Sequence, residues 1–431
     1  MVTRRKEAEE VNLYCVPRHM QHVPPARSTE PGKADRMNNF IFQCSTKMIF
    51  GRDQEKTVGE ELKRQGASKV LFVYGGHSIK RSGLYDRVVR SLNDSGITFV
   101  ELSGVVPNPR VSLVRKAIEI CREEKIDFLL AVGGGSVIDT CKAASYGVYY
   151  DGDIWDLISH KVELEGDMEH LPVGDILTLP AAGSEESDSC MISDETLKIK
   201  AGFGAPGMRP VFSIMNPELT FTLPIYQTGC GCVDIMSHVM ERYFSHTEDT
   251  EMEDRMAEAI LKTVIDNFET VLKEPENYGA RAEIMLCGTW AQNDMIGSGK
   301  EQDWFNHGLE HEISGLYDIA HGAGLAITFP HWMEFCARDR QCQPKLLQYA
   351  ERVWGISPDY VHPEKTIGKT AENLRTLALK AGLPTTLSAA DITAEQFEYI
   401  ADRMTDGGRK TAGSFHRFTR EDILALLESM K

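Results

Sequence analysis

The sequence predicts an α/β domain built on a parallel sheet flanked by helices, followed by an all-α domain. Three observations predict it. From residue 47 to about 216 short apolar runs alternate with helical stretches, and after Pro224 the strand-like runs stop. A chain of 431 residues is long enough to build two hydrophobic cores.

The elements follow in order. Lys69 to Tyr74 is a short apolar run ending in Gly75-Gly76, which reads as a buried strand. Leu84 to Asn93 has helical spacing, and Ile97 to Leu102 is the next strand. Val111 to Glu124 is an amphipathic helix, followed by strand 126–132. Asp175 to Leu179 and Val211 to Met215 complete the strands. Beyond them Met252, Met256, Ile260, Val264 and Phe268 recur every four residues, marking one face of a long helix. A helix is expected over 229–244, with others over roughly 281–296, 343–353, 364–381, 394–403 and 420–430. Residues 1–36 hold Pro17, Pro24, Pro25 and Pro31 with no periodicity, and read as a disordered extension. The sheet domain is expected over 37–217 and the helical domain over 218–431.

The formal net charge of -17 repels nucleic acid and anionic lipid, so neither is expected as a partner. No apolar run is long enough to cross a membrane as a helix. The ten cysteines form no Cys-x-x-Cys pair and read as reduced packing residues, which suits a cytoplasmic protein.

Strand 126–132 runs into Gly133-Gly134-Gly135-Ser136, a turn whose glycines let the backbone approach a diphosphate at the start of a helix. Ser136-x-x-Asp139 is equally a capping box that would start any helix. The turn after the first strand, Gly75-Gly76-His77-Ser78 with Lys80 and Arg81 behind it, holds no carboxylate to repel a 2'-phosphate. That favours NADP(H) over NAD, because NAD-preferring sites place an acid near the ribose 2'-hydroxyl.

Asp234 and His238 lie four apart on a predicted helix, so carboxylate and imidazole share a face. His307 and His311 repeat the spacing, and His321 follows, which puts three of the 13 histidines within fifteen residues. One carboxylate with two or three imidazoles suits iron(II) or zinc.

Asp234-x-x-x-His238, Asp303-Trp304-Phe305-Asn306-His307-Gly308-Leu309-Glu310-His311-Glu312 and Ile319-Ala320-His321-Gly322-Ala323-Gly324, with the glycine loop at 133–136, resemble the iron-containing alcohol dehydrogenase family. Met37-Asn38-Asn39-Phe40, Tyr74-Gly75-Gly76-x-Ser78 and Asp303-Trp304 resemble its NADPH-dependent butanol dehydrogenase and aldehyde reductase branch. The resemblance implies that Asp234, His238, His307 and His321 bind a divalent metal, Fe2+ or Zn2+, with His311 beside it as a proton relay. It implies that Gly75, Gly76 and Ser78 meet the 2'-phosphate, and that Gly134, Gly135, Ser136 and Asp139 meet the diphosphate and nicotinamide end. Asn108 stands where a ribose contact is expected, and Thr178, Ser184 and Lys200 stand where further cofactor contacts are. The chain departs from the family's pattern at His77, Pro180 and Asn216, none of them a metal ligand.

The implied activity is hydride transfer between NADPH and a short-chain aldehyde, with the small-molecule aldehyde or alcohol as partner and a homodimer as the expected assembly. Residues 37–52 could supply the dimer's edge strand. A glycerol or other polyol dehydrogenase of the same family is the nearest alternative, and a dehydroquinate synthase-like lyase a more distant one. A non-catalytic nucleotide-binding module would be expected to have lost part of the ligand set, which here is complete.

Overall fold

The computed structural model describes residues 2–4 (backbone only), 36–164 and 166–431. The extension expected over 1–36 lies almost wholly outside the described residues. Contacts divide the chain into two compact units. One contains Gln43–Leu223 with Glu276–Thr289; the other contains Pro224–Pro275, Trp290–Lys431 and the residues just before Gln43.

The first unit holds a six-stranded sheet. Its strands are β1 (Lys47–Phe50), β2 (Lys69–Tyr74), β3 (Thr98–Leu102), β4 (Phe128–Gly134), β5 (Val173–Leu179) and β8 (Phe212–Met215). The order across the sheet is β1-β8-β5-β4-β2-β3, and every pairing is parallel. Parallel strands are buried on both faces, which is why these runs are apolar without alternation. Leu71, Val73, Leu129 and Ala131 pack into the core on one face, with helices α3 (Val111–Glu124) and α4 (Gly135–Gly147). Val70, Phe72, Phe128 and Leu130 pack on the other, with α1 (Val58–Arg64) and α2 (Leu84–Asp94).

Among the elements of this unit not anticipated above is an antiparallel hairpin of β6 (Ser189–Asp194) and β7 (Ile199–Gly204). The departure at Asn216 has a local reason. Its Nδ2 donates to Glu55 Oε2 at 2.9 Å inside the fold, where an aspartate would face Glu55 with a second negative charge.

The second unit is helical, with α5 (Ile225–Tyr243), α6 (Glu251–Lys273), α8 (Phe305–Tyr317), α9 (His321–Cys336), α10 (Gln343–Trp354), α11 (Pro363–Lys380), α12 (Phe397–Thr405) and α13 (Arg420–Ser429). Helix α7 (Tyr278–Gln292) lies with the first unit as far as Thr289.

The face expected for α6 holds at Ile260, Val264 and Phe268, which are buried, and needs correcting in the first turns. Met252 is 67% exposed, and the buried side of the first turns carries Asp254, Ala257, Glu258 and Leu261. The carboxylates are buried because cations reach them: Lys300 Nζ lies 2.6 Å from Asp254 Oδ1, Lys345 also pairs with Asp254, and Arg352 reaches Glu258 at 3.2 Å. No helix among the described residues is long and apolar enough to cross a membrane. All nine described cysteines are free thiols, and seven of them are buried.

Candidate metal centre and cofactor turn

The helical unit gathers the four expected ligands at one point. Helix α5 presents Asp234 and His238 one turn apart, and His238 Nδ1 lies 3.5 Å from Asp234 Oδ1. His307, in the first turn of α8, brings Nε2 to 3.8 Å from the same oxygen. His321, the first residue of α9, brings Nε2 to 3.5 Å. Asp234, His238 and His307 are about 95% buried. Asp234 Oδ1, His238 Nδ1 and His307 Nε2 have no hydrogen-bond partner. Three unpartnered polar atoms converging in a buried spot would each be costly alone, and a divalent cation satisfies all of them at once. The residues fit the ion.

The electrostatics at Asp234 agree with that reading. Burial alone would raise the Asp234 carboxyl, but the imidazoles of His238, His321 and His307 hold it well below its ordinary value, so it is a carboxylate. Burial opposes charge on His238 and pushes it well below the ordinary imidazole value. Burial also opposes charge on His307, but Asp234 and Glu241 outweigh it and raise its value.

Two carboxylates missed in the sequence set the ring orientations. Glu241 Oε1 accepts from the His307 backbone N–H at 3.0 Å and lies 3.1 Å from Nδ1, which turns Nε2 toward Asp234. Glu310 does the same for His321, bonding its Nδ1. Glu241 falls seven residues after Asp234 on one helix, and that spacing is the signal that could have revealed it.

Glycine lets the third helix approach. A Cβ on Gly322 would come within 2.1 Å of the Cys230 carbonyl oxygen, so the start of α9 lies backbone against backbone on α5, one turn before Asp234. Trp304 adopts a left-handed backbone (φ 61°), unusual for a bulky side chain, immediately before α8. Its indole packs 5.1 Å from the His307 ring and 6.0 Å from His238, with the Arg242 guanidinium 4.6 Å over it. His311 is buried, and its ring lies 5.4 Å from that of His321 and 6.3 Å from that of His307.

In the first unit the strand order reverses between β2 and β4: the chain moves outward from β2 to β3, returns to β4, and then proceeds to β5 and β8. The carboxyl ends at such a reversal form the customary binding crevice of open parallel sheets. Gly75, Gly76 and Ser78 follow β2, and Gly76 and Ser78 are exposed there. Gly134, Gly135 and Ser136 end β4 and begin α4, and Thr178 is at the end of the neighbouring β5, all partly exposed.

Helix α4 starts at Gly135 with no side-chain cap, so the capping box read from Ser136 and Asp139 is not formed and the first N–H groups are left for a ligand. The Asp139 carboxylate is otherwise engaged. Ser184 Oγ donates to one of its oxygens at 2.6 Å and the Met191 N–H to the other at 3.0 Å, and burial raises its pKa. Asn108, held at φ 54°, and Lys200, on β7, are buried as well.

A parallel sheet with a crevice at its reversal and a helical unit with one carboxylate and three imidazoles around a point define a dinucleotide- and metal-dependent oxidoreductase. The sequence pattern of "Iron-containing alcohol dehydrogenase" matches residues 45–217, and that of "Fe-containing alcohol dehydrogenase family, C-terminal" matches residues 228–431. The chain belongs to the iron-containing alcohol dehydrogenase family. It is 44% identical to the probable NADH-dependent butanol dehydrogenase 1 of Bacillus subtilis, over 91% of this chain and 100% of that protein. It is 36% identical to the NADPH-dependent aldehyde reductase YqhD of Escherichia coli, over 92% of this chain and 100% of that protein. The crystal structure of NADH-dependent butanol dehydrogenase A from Thermotoga maritima superposes with a TM-score of 0.86 at 38% identity, covering 92% of this chain and 99% of that one. The chain is therefore an oxidoreductase acting on CH–OH groups, and its family uses a divalent metal and a nicotinamide cofactor.

Proposed function

We propose that this protein is a metal-dependent aldehyde reductase and alcohol dehydrogenase that moves hydride between NADPH and a short-chain aldehyde. One observation carries the proposal: the unpartnered donor atoms of Asp234, His238 and His307, with His321 beside them, around a single buried point. Asp234, His238, His307 and His321 hold Fe2+ or Zn2+. When bound, the ion supplies Lewis acidity toward the carbonyl oxygen and the reduced nicotinamide supplies hydride. Glu241 and Glu310 hold His307 and His321 in register, and Trp304 with its neighbours keeps water from the buried side. His311, next to His321, passes a proton through its imidazole to the substrate oxygen as it becomes a hydroxyl.

The cofactor's 2'-phosphate is received at Gly75, Gly76 and Ser78, and its diphosphate at the uncapped start of α4 with Gly134, Gly135 and Ser136. NADPH is supported by a turn without a carboxylate; the nearby Glu101 has both oxygens taken, by Tyr74 and Tyr85. A second reading, NADH, is favoured by the Bacillus subtilis and Thermotoga maritima relatives, both named as NADH-dependent. Asp139 serves as a positioning residue that ties Ser184 and the β6 backbone to α4.

The His238→Ala variant is expected to lose its metal and its turnover while keeping its far-ultraviolet circular dichroism. Turnover at the wild-type rate in metal-free buffer rejects the proposal. Catalytic efficiencies with NADPH and NADH, measured on a panel of aldehydes and polyols, separate the two cofactor readings and the polyol alternative. A higher efficiency with NADH removes the assignment of the 75–78 turn.

A further inference from the structure

Glu241 and Glu310 hold His307 and His321 by hydrogen bonds, whereas no carboxylate hydrogen-bonds the His238 ring among the described residues. What meets that ring instead is Trp304. The two rings lie 6.0 Å apart at 62°, and the same indole meets the His307 ring at 5.1 Å and 71°. The His238 and His307 rings are themselves 4.6 Å apart. The buried indole is thus a rigid surface shared by two of the expected ligands.

Trp304 is held from several sides. Its φ of 61° is costly for a bulky residue and persists only where the surroundings impose it. Asp303, just before it, donates its N–H to the Glu241 carbonyl at 3.0 Å, and its Oδ1 accepts the N–H groups of Ser414 and Phe415 at 2.6 and 3.0 Å. Trp304 Nε1 donates to Gln302 Oε1 at 2.9 Å. The guanidinium of Arg242, fully buried, lies 4.6 Å over the indole. Its Nη1 donates to the His238 carbonyl at 3.1 Å and its Nη2 to Asp294 Oδ1 at 2.9 Å, while its Nε has no hydrogen-bond partner. Burying a cation is costly unless it is paired, and here the indole face supplies part of the pairing. Helix α5 therefore provides two ligands, the support of His307 through Glu241, and the support of Trp304 through Arg242.

We propose that Trp304, clamped by Arg242, is a positioning residue of the metal centre: the indole fixes the plane of the His238 imidazole and its angle to that of His307, as Glu241 and Glu310 fix their own rings. The inference rests on the assignment of Asp234, His238, His307 and His321 as ligands. A ligand ring that can swing spends part of its time in poses that do not bind an ion. Loss of the indole therefore weakens binding and alters the ligand field while every donor atom stays in place. Trp304 and Arg242 offer no lone pair to a cation, so their part is confined to holding the ligands. Arg242 acts one contact further out, on the His238 carbonyl and on the indole.

Cobalt(II) reports ligand geometry through its visible d–d absorption, separately from turnover. Metal-stripped wild-type protein titrated with cobalt(II) is expected to give a spectrum that His238→Ala lacks, and to lose part of its tryptophan emission. Trp304→Leu is expected to bind cobalt about 10- to 100-fold more weakly and to shift that spectrum. Trp304→Phe, which keeps an aromatic ring, is expected to restore most of both, and Arg242→Met to shift the spectrum as Trp304→Leu does. Denaturant unfolding of the metal-stripped proteins separates a packing role: lower stability with an unchanged cobalt spectrum overturns the proposal, as does wild-type affinity in Trp304→Leu. Should Trp304→Leu not fold, Trp304→Phe decides, because emission that cobalt quenches as strongly as in wild type shows that Trp304 does not meet the ligands. Wild-type protein without a His238-dependent cobalt spectrum rejects the metal centre itself, so the two failures are distinct.

Discussion

At the scale of single residues, the candidate centre is decided by what stands behind the ligands as much as by the ligands. An unrestrained histidine can turn either nitrogen to a cation, and Glu241 and Glu310 remove that freedom for His307 and His321. Glu241→Ala is therefore expected to weaken metal binding by about 10- to 100-fold, read by competition with a chromophoric chelator. Affinity equal to wild type would show that Glu241 does not orient His307. The ligands were legible in the sequence because histidine is scarce and their spacing is helical. The supporting carboxylates were not, since Glu241 and Glu310 stand among 64 acidic residues and only the folded positions distinguish them.

At the scale of elements, close helix packing does what ligand identity cannot. Gly322 brings the start of α9 onto the α5 backbone at Cys230 and so delivers His321 to Asp234. A methyl group at that position has only backbone to displace, so Gly322→Ala is expected to lower stability by roughly 1–3 kcal/mol and to reduce metal occupancy. Denaturant unfolding and metal analysis on the same sample check both, and full occupancy in that variant rejects the role given to Gly322. The same elements show where sequence reading runs out. The sheet strands stand out as unbroken apolar runs, whereas β6 and β7 mix Ser189, Asp194, Lys200, Gly202 and Gly204 with their apolar residues and carry no clear period. Helices α8 and α9 are buried on nearly all sides, so no amphipathic stripe marks them, and α9 contains Pro330. On α6 the period held from Ile260 onward and misled only in the first turns, where carboxylates occupy part of the buried face.

At the scale of the whole molecule, the buried charges of the helical unit make its stability depend on pH. Asp254 is almost fully buried between Lys300 and Lys345, with Gln348 donating at 3.0 Å. Burial opposes its ionisation, yet the two ammonium groups hold its carboxyl below the ordinary 3.8. A lowered folded value means that this contribution is complete above the unfolded pKa and is lost as pH falls through the folded one. Wild-type protein is accordingly expected to lose stability more steeply than Asp254→Asn once the pH drops below about 4. At neutral pH, Asp254→Ala is expected to cost about 3–5 kcal/mol, because it strands the fully buried Lys300 and removes the partner of the partly buried Lys345. Matching acid-unfolding curves for wild type and Asp254→Asn would remove Asp254 from that role.

The chain leaves the sheet unit at Leu223, returns for Glu276–Thr289 and departs again. That detour makes the sheet unit inseparable from sequence far downstream of its last strand. Within it, Thr289 Oγ1 donates at 2.7 Å to Glu185, a carboxylate buried in the unit. A gene cut after Leu223 would therefore encode all six sheet strands yet leave Glu185 without this hydrogen bond in the interior. Shuffling between relatives has to carry 276–289 along with the first half of the gene.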